Sequence, residues 1–117
     1  MSDEEETKLD PIAEDLKTKH AEVFSREFED VGGKPITVYF RPPTRAENDR
    51  FNAKAFDDKN PKRQAEGMSE FGRSVIVHPT GSDRDSLIDR RPGIAMVIAG
   101  EASRIAAGQG AELGKRL

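Results

Sequence analysis

The apolar residues of this chain change their spacing near Val23, and that change limits the folds open to it. Leu9, Ile12, Leu16 and Val23 stand three, four and seven residues apart with Ala13 alongside, which is one face of a helix. Asp10 suits the cap, and Pro11 suits a first turn where no backbone donor is required. Lys17, Lys19 and His20 fall where cations favour the helix dipole, so a helix from Pro11 to about His20 is expected. From Phe24 the period becomes two. Phe24, Arg26 and Phe28 alternate with polar residues, and Ile36, Val38 and Phe40 alternate with Thr37 and Tyr39, a strand pattern rich in aromatic and β-branched side chains. Gly32-Gly33 between them can take the positive φ of a hairpin turn, and Pro35 fits the start of a strand rather than its middle. A lone hairpin is marginal in water, so its apolar face has to be covered.

The rest of the chain offers helices for that purpose. Arg41-Pro42-Pro43 ends the second strand, because proline supplies no ladder donor. Thr44-Arg45-Ala46-Glu47 is a capping box, opening a helix that runs to about Phe56 with Phe51 and Ala55 one turn apart. Asp57-Asp58-Lys59-Asn60 interrupts, and Asn60-Pro61 restarts the chain as cap and first residue of another helix. Its stripe is expected to be Ala65, Met68, Gly72, Val75 and Ile76, with Phe71 at the edge. Gly67 and Gly72 each cost about 1 kcal/mol relative to alanine inside a helix, which points to a kink or a close helix contact. His78-Pro79-Thr80-Gly81 breaks the pattern, and Ser82 or Asp83 is the expected cap of a short helix reaching Arg90. Pro92-Gly93 opens the last helix, with Ile94, Val97, Ile98, Ala102, Ile105 and Ala106 on its apolar face. The expected class is α+β: an N-terminal helix and β-hairpin followed by a small bundle of three to four helices. Residues 1–8 are expected as a disordered acidic tail, 9–107 as the single domain and 108–117 as a flexible tail.

Composition narrows the function. Of 117 residues, 34% are apolar and 35% charged, with no tryptophan, a thin core that self-association or a partner would help to stabilise. With no cysteine there is no thiolate ligand, thiol nucleophile or disulfide, which fits a reducing compartment. The acidic start is unlike a secretory signal, and the apolar run Ile94 to Ala99 is far shorter than the ~20 residues a spanning helix needs. A cytoplasmic protein is therefore expected. The first thirty residues hold eleven acids and four bases, the remainder eleven acids and fifteen bases. That acidic arm reads as a solubilising terminus or as a contact for a basic target.

The search for chemistry leaves little. His20 and His78 show no metal-ligand spacing, so no metal site is expected. Gly32-Gly33-Lys34 lacks the following Ser or Thr and the helix of a phosphate loop. Asp57-Asp58 reads as a solvated turn. Asp83, Asp85 and Asp89 lack the glycine and closing glutamate of a calcium loop. No nucleophile has an evident base, so neither a catalytic group nor a cofactor is expected, and the chain reads as a binder rather than an enzyme. Arg41, Arg45 and Arg50, with Arg90-Arg91, could touch phosphates, but Glu47 and Asp49 interleave and no basic stripe emerges, so nucleic acid is not an expected partner.

Val38-Tyr39-Phe40-Arg41-Pro42-Pro43-Thr44-Arg45-Ala46-Glu47, leading to Phe51, resembles the core segment of phage tail assembly chaperones. Tyr39, Phe40, Arg41, Pro43, Thr44, Arg45, Glu47 and Phe51 carry the likeness; Pro42 and Asn48 depart from it. Lys17 to Phe24, Val77-His78-Pro79 and Arg91-Pro92-Gly93 are similar to further steps of the same pattern, which spans residues 9 to 107. The resemblance implies a non-catalytic protein that covers the tape measure protein during tail morphogenesis, with the tail tube protein as a further partner. The client-binding surface expected here is the face of Ile94, Val97, Ile98 and Ile105, unless the intramolecular core claims it. Two other roles fit the same residues: a structural tail or head–tail completion component, and a small regulator that uses the acidic arm.

Overall fold

The computed structural model describes residues 10–55, 59–110 and 114–117, and within them the change of period becomes a change of layer. Helix α1 (Pro11–Lys19) begins at Asp10, whose carboxylate accepts the Ala13 N–H at 2.8 Å, and its buried residues are Ala13 and Leu16. Strands β1 (Phe24–Glu29) and β2 (Pro35–Phe40) then pair antiparallel, Phe24 opposite Phe40 and Phe28 opposite Ile36. The turn between them is a short 3-10 segment, Val31–Gly33, in which Gly32 and Gly33 take φ of 80° and 75°. A side chain is strained in that region, so the glycine pair is what lets the hairpin close.

Helix α2 (Arg45–Ala55) starts at the expected capping box: the Glu47 N–H donates to the Thr44 hydroxyl at 3.2 Å, and the Thr44 N–H donates to the Glu47 carboxylate at 2.8 Å. Helix α3 (Pro61–Val75) starts at Asn60, whose side chain accepts the Arg63 N–H at 3.1 Å. Its expected stripe needs correction. Ala65 is exposed, Phe71 is central rather than marginal, and the buried residues are Gly67, Phe71, Gly72 and Val75. Of the two explanations for the glycines, close contact is the one observed. A Cβ on Gly72 would lie 1.9 Å from the Ala95 carbonyl oxygen, and one on Gly67 would lie 2.7 Å from Lys54 Cβ.

Ile76 is also not helical. The chain leaves α3 at Val75 and forms strand β3 (Ile76–His78) beside β2, with Tyr39 opposite His78. Three consecutive β-branched residues, Val75-Ile76-Val77, favour that exit, since their χ1 freedom suffers in a helix. Helix α4 (Gly81–Arg90) starts two residues earlier than Asp83: Thr80 occupies the cap position with no side-chain cap bond, so neither Ser82 nor Asp83 caps it. Helix α5 (Gly93–Ala106) follows almost at once. A loose tail was the expectation beyond Gly108. Instead Lys115–Arg116 form strand β4 on β1, held by the Leu117 N–H on the Val23 carbonyl at 2.9 Å and the Gly114 N–H on Glu101 at 2.9 Å.

The sheet order is β3-β2-β1-β4, so the hairpin lies at its centre. Alternation sends Phe24, Val38 and Phe40 to one face, where they meet Phe71, Val75, Leu87, Ile94 and Ile98 from the helices. The opposite face sends Tyr39 and Val23 against Ala13 and Leu16 of α1. The fold is α+β, three layers deep at this point: α1, sheet, helices. Among the described residues no helix is long and apolar enough to cross a membrane. The expected acidic tail and the Asp57-Asp58 turn lie outside the described residues.

Candidate functional site

Two regions of the hairpin compete for the role of site, one recognisable in sequence and one not. The recognisable segment sits where β2 runs into α2. Tyr39 is buried and donates its hydroxyl to Asp10 at 2.7 Å, tying β2 to the cap of α1. Burial, reinforced by that carboxylate, pushes the phenol up to about 12. The Ala13 amide, joined by the Tyr39 hydroxyl, holds the Asp10 carboxyl below the usual carboxylate range. Phe40 is fully buried and stacks on Phe24 with centroids 5.6 Å apart.

Arg41 makes a two-pronged pair with Glu47, at 2.7 and 2.9 Å, and also donates to the Ser74 carbonyl at 3.0 Å. The guanidinium, helped by the Thr44 amide, lowers the Glu47 carboxyl to about 2. Phe51 stacks on Phe71 at 4.3 Å, which fastens α2 to α3. Pro43 is half-buried at the turn, and Arg45 projects into solvent with Asp49 3.9 Å away. Nearly every group in the segment is therefore consumed by the fold. It is a joint between sheet, α1 and α3, with Arg45 left outward.

The expected client-binding face divides. Ile94 and Ile98 are core residues, Ile105 is half-buried against the core, and Val97 is 37% exposed. A straight apolar helix face cannot be wholly inside and wholly outside, and α5 resolves this by presenting Val97 beside the hairpin tip. There the Phe28 and Glu29 end of β1 faces the α4–α5 turn across an open groove of about 560 Å³. Phe28, Pro92, Ile94 and Val97 supply its apolar wall, and Arg90, Arg91 and Glu29 its charged rim. Val31, at the tip, is 55% exposed.

Charge contacts join the two sides of the groove. Asp30 accepts from Arg90 at 3.1 and 2.9 Å, and its carbonyl accepts from Arg91 at 3.4 Å. These contacts tie the hairpin tip to α4; the Arg90 hydrogen bonds first, then the Val31 amide, hold the Asp30 carboxyl low. Phe28 and Pro92 escaped sequence reasoning as site residues, because alternation marks Phe28 as core and Pro92 as a helix start. Only the meeting of a strand end with a distant turn makes them a surface.

One charge on the apolar face was missed altogether. Glu101 is buried, pairs with Arg26 at 3.0 Å and receives the Gly114 N–H, so it fixes α5 to β1 and to the C-terminal strand. Two of the arginines weighed as phosphate contacts are held in separate ion pairs, Arg41 with Glu47 and Arg90 with Asp30. Among the described residues, no group of three or more His, Cys, Asp or Glu converges as a metal would require.

No family model matches the chain, and no curated protein matches it. Among solved structures it is similar to an uncharacterised protein from Bacillus stearothermophilus, with a TM-score of 0.65 at 19% identity. The match covers 86% of this chain and 96% of the other. That likeness is one of fold.

Proposed function

We propose that this protein binds a polypeptide client without chemistry, in the role of a phage tail assembly chaperone, and that the groove between the hairpin tip and the α4–α5 turn is where the client docks. The observation that carries the reading is an apolar groove, Phe28, Pro92, Ile94 and Val97, left open in a protein with little apolar material to spare. Grooves of this kind take apolar side chains from a partner, with rim charges setting orientation. The Tyr39–Phe51 segment supports the same reading through its resemblance to those chaperones, and its part is to hold the hairpin against the helices. The tape measure protein is the client that the resemblance implies, and a long client covered by many copies needs only weak individual contacts.

The test is co-expression with the tape measure protein from the same genome, reading the soluble fraction of the client. The intact protein raises it several-fold, and Val97→Asp, which places a charge in the groove at an exposed position, removes most of the gain. A client that stays insoluble with the intact protein, or is rescued equally by the variant, rejects the reading.

A further inference from the structure

The C-terminal strand is held by contacts that read like the recognition of a short peptide. Residues 114–117 and the edge of β1 that they meet all lie within the described residues. The Gly114 N–H donates at 2.9 Å to the buried carboxylate of Glu101, whose other oxygen Arg26 holds at 3.0 Å. Lys115 then stands opposite Ser25, and Arg116 opposite Phe24. The Arg116 guanidinium lies 5.0 Å over the Phe24 ring and pairs with Glu22. Leu117 turns to the other face, as alternation requires, and packs with Ala13, Leu16, Val23 and Tyr39. Its N–H donates to the Val23 carbonyl at 2.9 Å. In chain order the acceptor thus offers a buried carboxylate to a backbone N–H, an acid and a ring to a guanidinium, and an apolar patch to a leucine.

The hold is specific but shallow. Lys115 and Arg116 are exposed, Leu117 is half-buried, and an ion pair at the surface such as Arg116 with Glu22 contributes little. A segment tied by so few contacts opens at far lower cost than the whole fold. Between α5 and β4 the chain passes Gly108 and Gly110, with φ of 77° and 75°, where backbone angles change without a side-chain clash.

We propose that residues 22–26 accept the C-terminal strand of a second copy, so that residues 114–117 are exchanged between two molecules as well as folded back within one. The sequence seated on this edge is the chain's own, and a second copy supplies the same strand with every side chain already matched. Affinity comes from main-chain hydrogen bonds, and selectivity from Arg116 and Leu117 on alternate faces. Within the intact protein the same contacts form in either arrangement, so exchange follows concentration. The inference goes beyond the groove and does not depend on it. Where the groove does bind a long client, two linked copies grip it together and gain avidity.

The test uses two charge variants of the full chain, Glu22→Lys and Arg116→Glu, each alone and mixed in equal amounts. In either variant alone, the strand sets like charges against each other whether folded back or exchanged. In a mixed pair that exchanges strands, the new lysine meets the new glutamate, and Glu22 of one copy meets Arg116 of the other. Sedimentation equilibrium is expected to show a heterodimer about tenfold or more tighter than the self-association of either variant, from the two ion pairs restored. Isotope-filtered NMR is expected to show contacts from Leu117 of one copy to Leu16 and Val23 of the other. Glu22→Lys/Arg116→Glu is expected to behave as the intact protein, and circular dichroism checks that each variant is folded. A mixture that stays monomeric at millimolar concentration overturns the proposal. So does self-association equal in the mixture and the single variants, or a heterodimer without the Leu117 contacts between copies. No client enters this assay: a monomeric mixture ends strand exchange even where Val97→Asp abolishes client rescue, and the groove reading then stands.

Discussion

The two ends of the β-hairpin are built from the same alternating pattern yet are treated oppositely by the fold. At the closed end, Phe40 is sealed beneath the helices, Tyr39 is bonded to Asp10, and Arg41 is clamped by Glu47 and Ser74. Both outer strands also pair there, β3 on Tyr39 and Phe40, β4 on Phe24 and Ser25. At the tip, no outer strand reaches Phe28 among the described residues, Phe28 is half-covered, and the contact with α4 is an ion pair at the surface. One end of the hairpin is locked by packing and hydrogen bonds, and the other is held mainly by surface charge. The Tyr39–Phe51 segment falls on the first end and the candidate interface on the second, so the groups of that segment serve the scaffold rather than the groove.

Truncating the same ring type at the two ends tests this most forcefully. Phe40→Ala empties a fully buried site and is expected to cost about 3–5 kcal/mol, while Phe28→Ala, already half in solvent, is expected to cost about 1–2 kcal/mol. Urea denaturation measures both. Equal losses would mean that the tip is as much core as the closed end, and the comparison would fail.

Next in size is the Arg41 clamp. Arg41→Ala strips Glu47 of its charged partner in a partly buried site, with an expected loss of about 2–3 kcal/mol by the same measurement. The pH dependence of stability sharpens the point. Glu47 has its carboxyl lowered from 4.5 to about 2, so the unfolded chain takes up its proton first as pH falls. The clamp's contribution is fully present above pH 4.5 and is lost between there and about pH 2. Glu47→Gln is expected to be less stable at neutral pH and to lose less stability across that window. Parallel pH profiles for the two proteins would show that Arg41 does not govern the joint.

Much of this architecture was legible because local rules and the global fold agree. The start of α1, the alternation of β1 and β2, the Thr44–Glu47 box and the Asn60-Pro61 start all formed as their residues dictate. The expected face of α1 did not: Ile12 is 42% exposed, Val23 lies beyond the helix, Leu9 falls outside the described residues, and Ala13 with Leu16 carries the burial. The failures share a cause: each depends on a neighbour that sequence spacing does not reveal. Ile76-Val77-His78 becomes a strand only because β2 lies alongside, and Lys115-Arg116 only because β1 lies alongside. Glu101 looks like a solvent-facing residue in an apolar helix until Arg26 is brought to it from 75 positions away. The groove is the extreme case, since Phe28 at the end of β1 and Pro92 in the α4–α5 turn meet only in three dimensions.

The smallest expected effect on stability separates the two ends most cleanly. Val97 and Ile98 are adjacent on α5, one 37% exposed and the other fully buried. Val97→Asp puts a carboxylate into water at the groove and is expected to change stability by no more than about 0.5 kcal/mol, leaving the melting temperature nearly unchanged. The same charge at Ile98 would have no partner among Phe24, Val38 and Phe40, and the protein is expected not to fold. Calorimetry on the first variant beside the client-rescue assay therefore weighs surface against scaffold one residue apart. A Val97→Asp protein that melts several degrees lower would place Val97 in the scaffold, and its loss of client rescue could then be put down to unfolding. Unchanged melting with lost rescue is the result that the division of the hairpin requires.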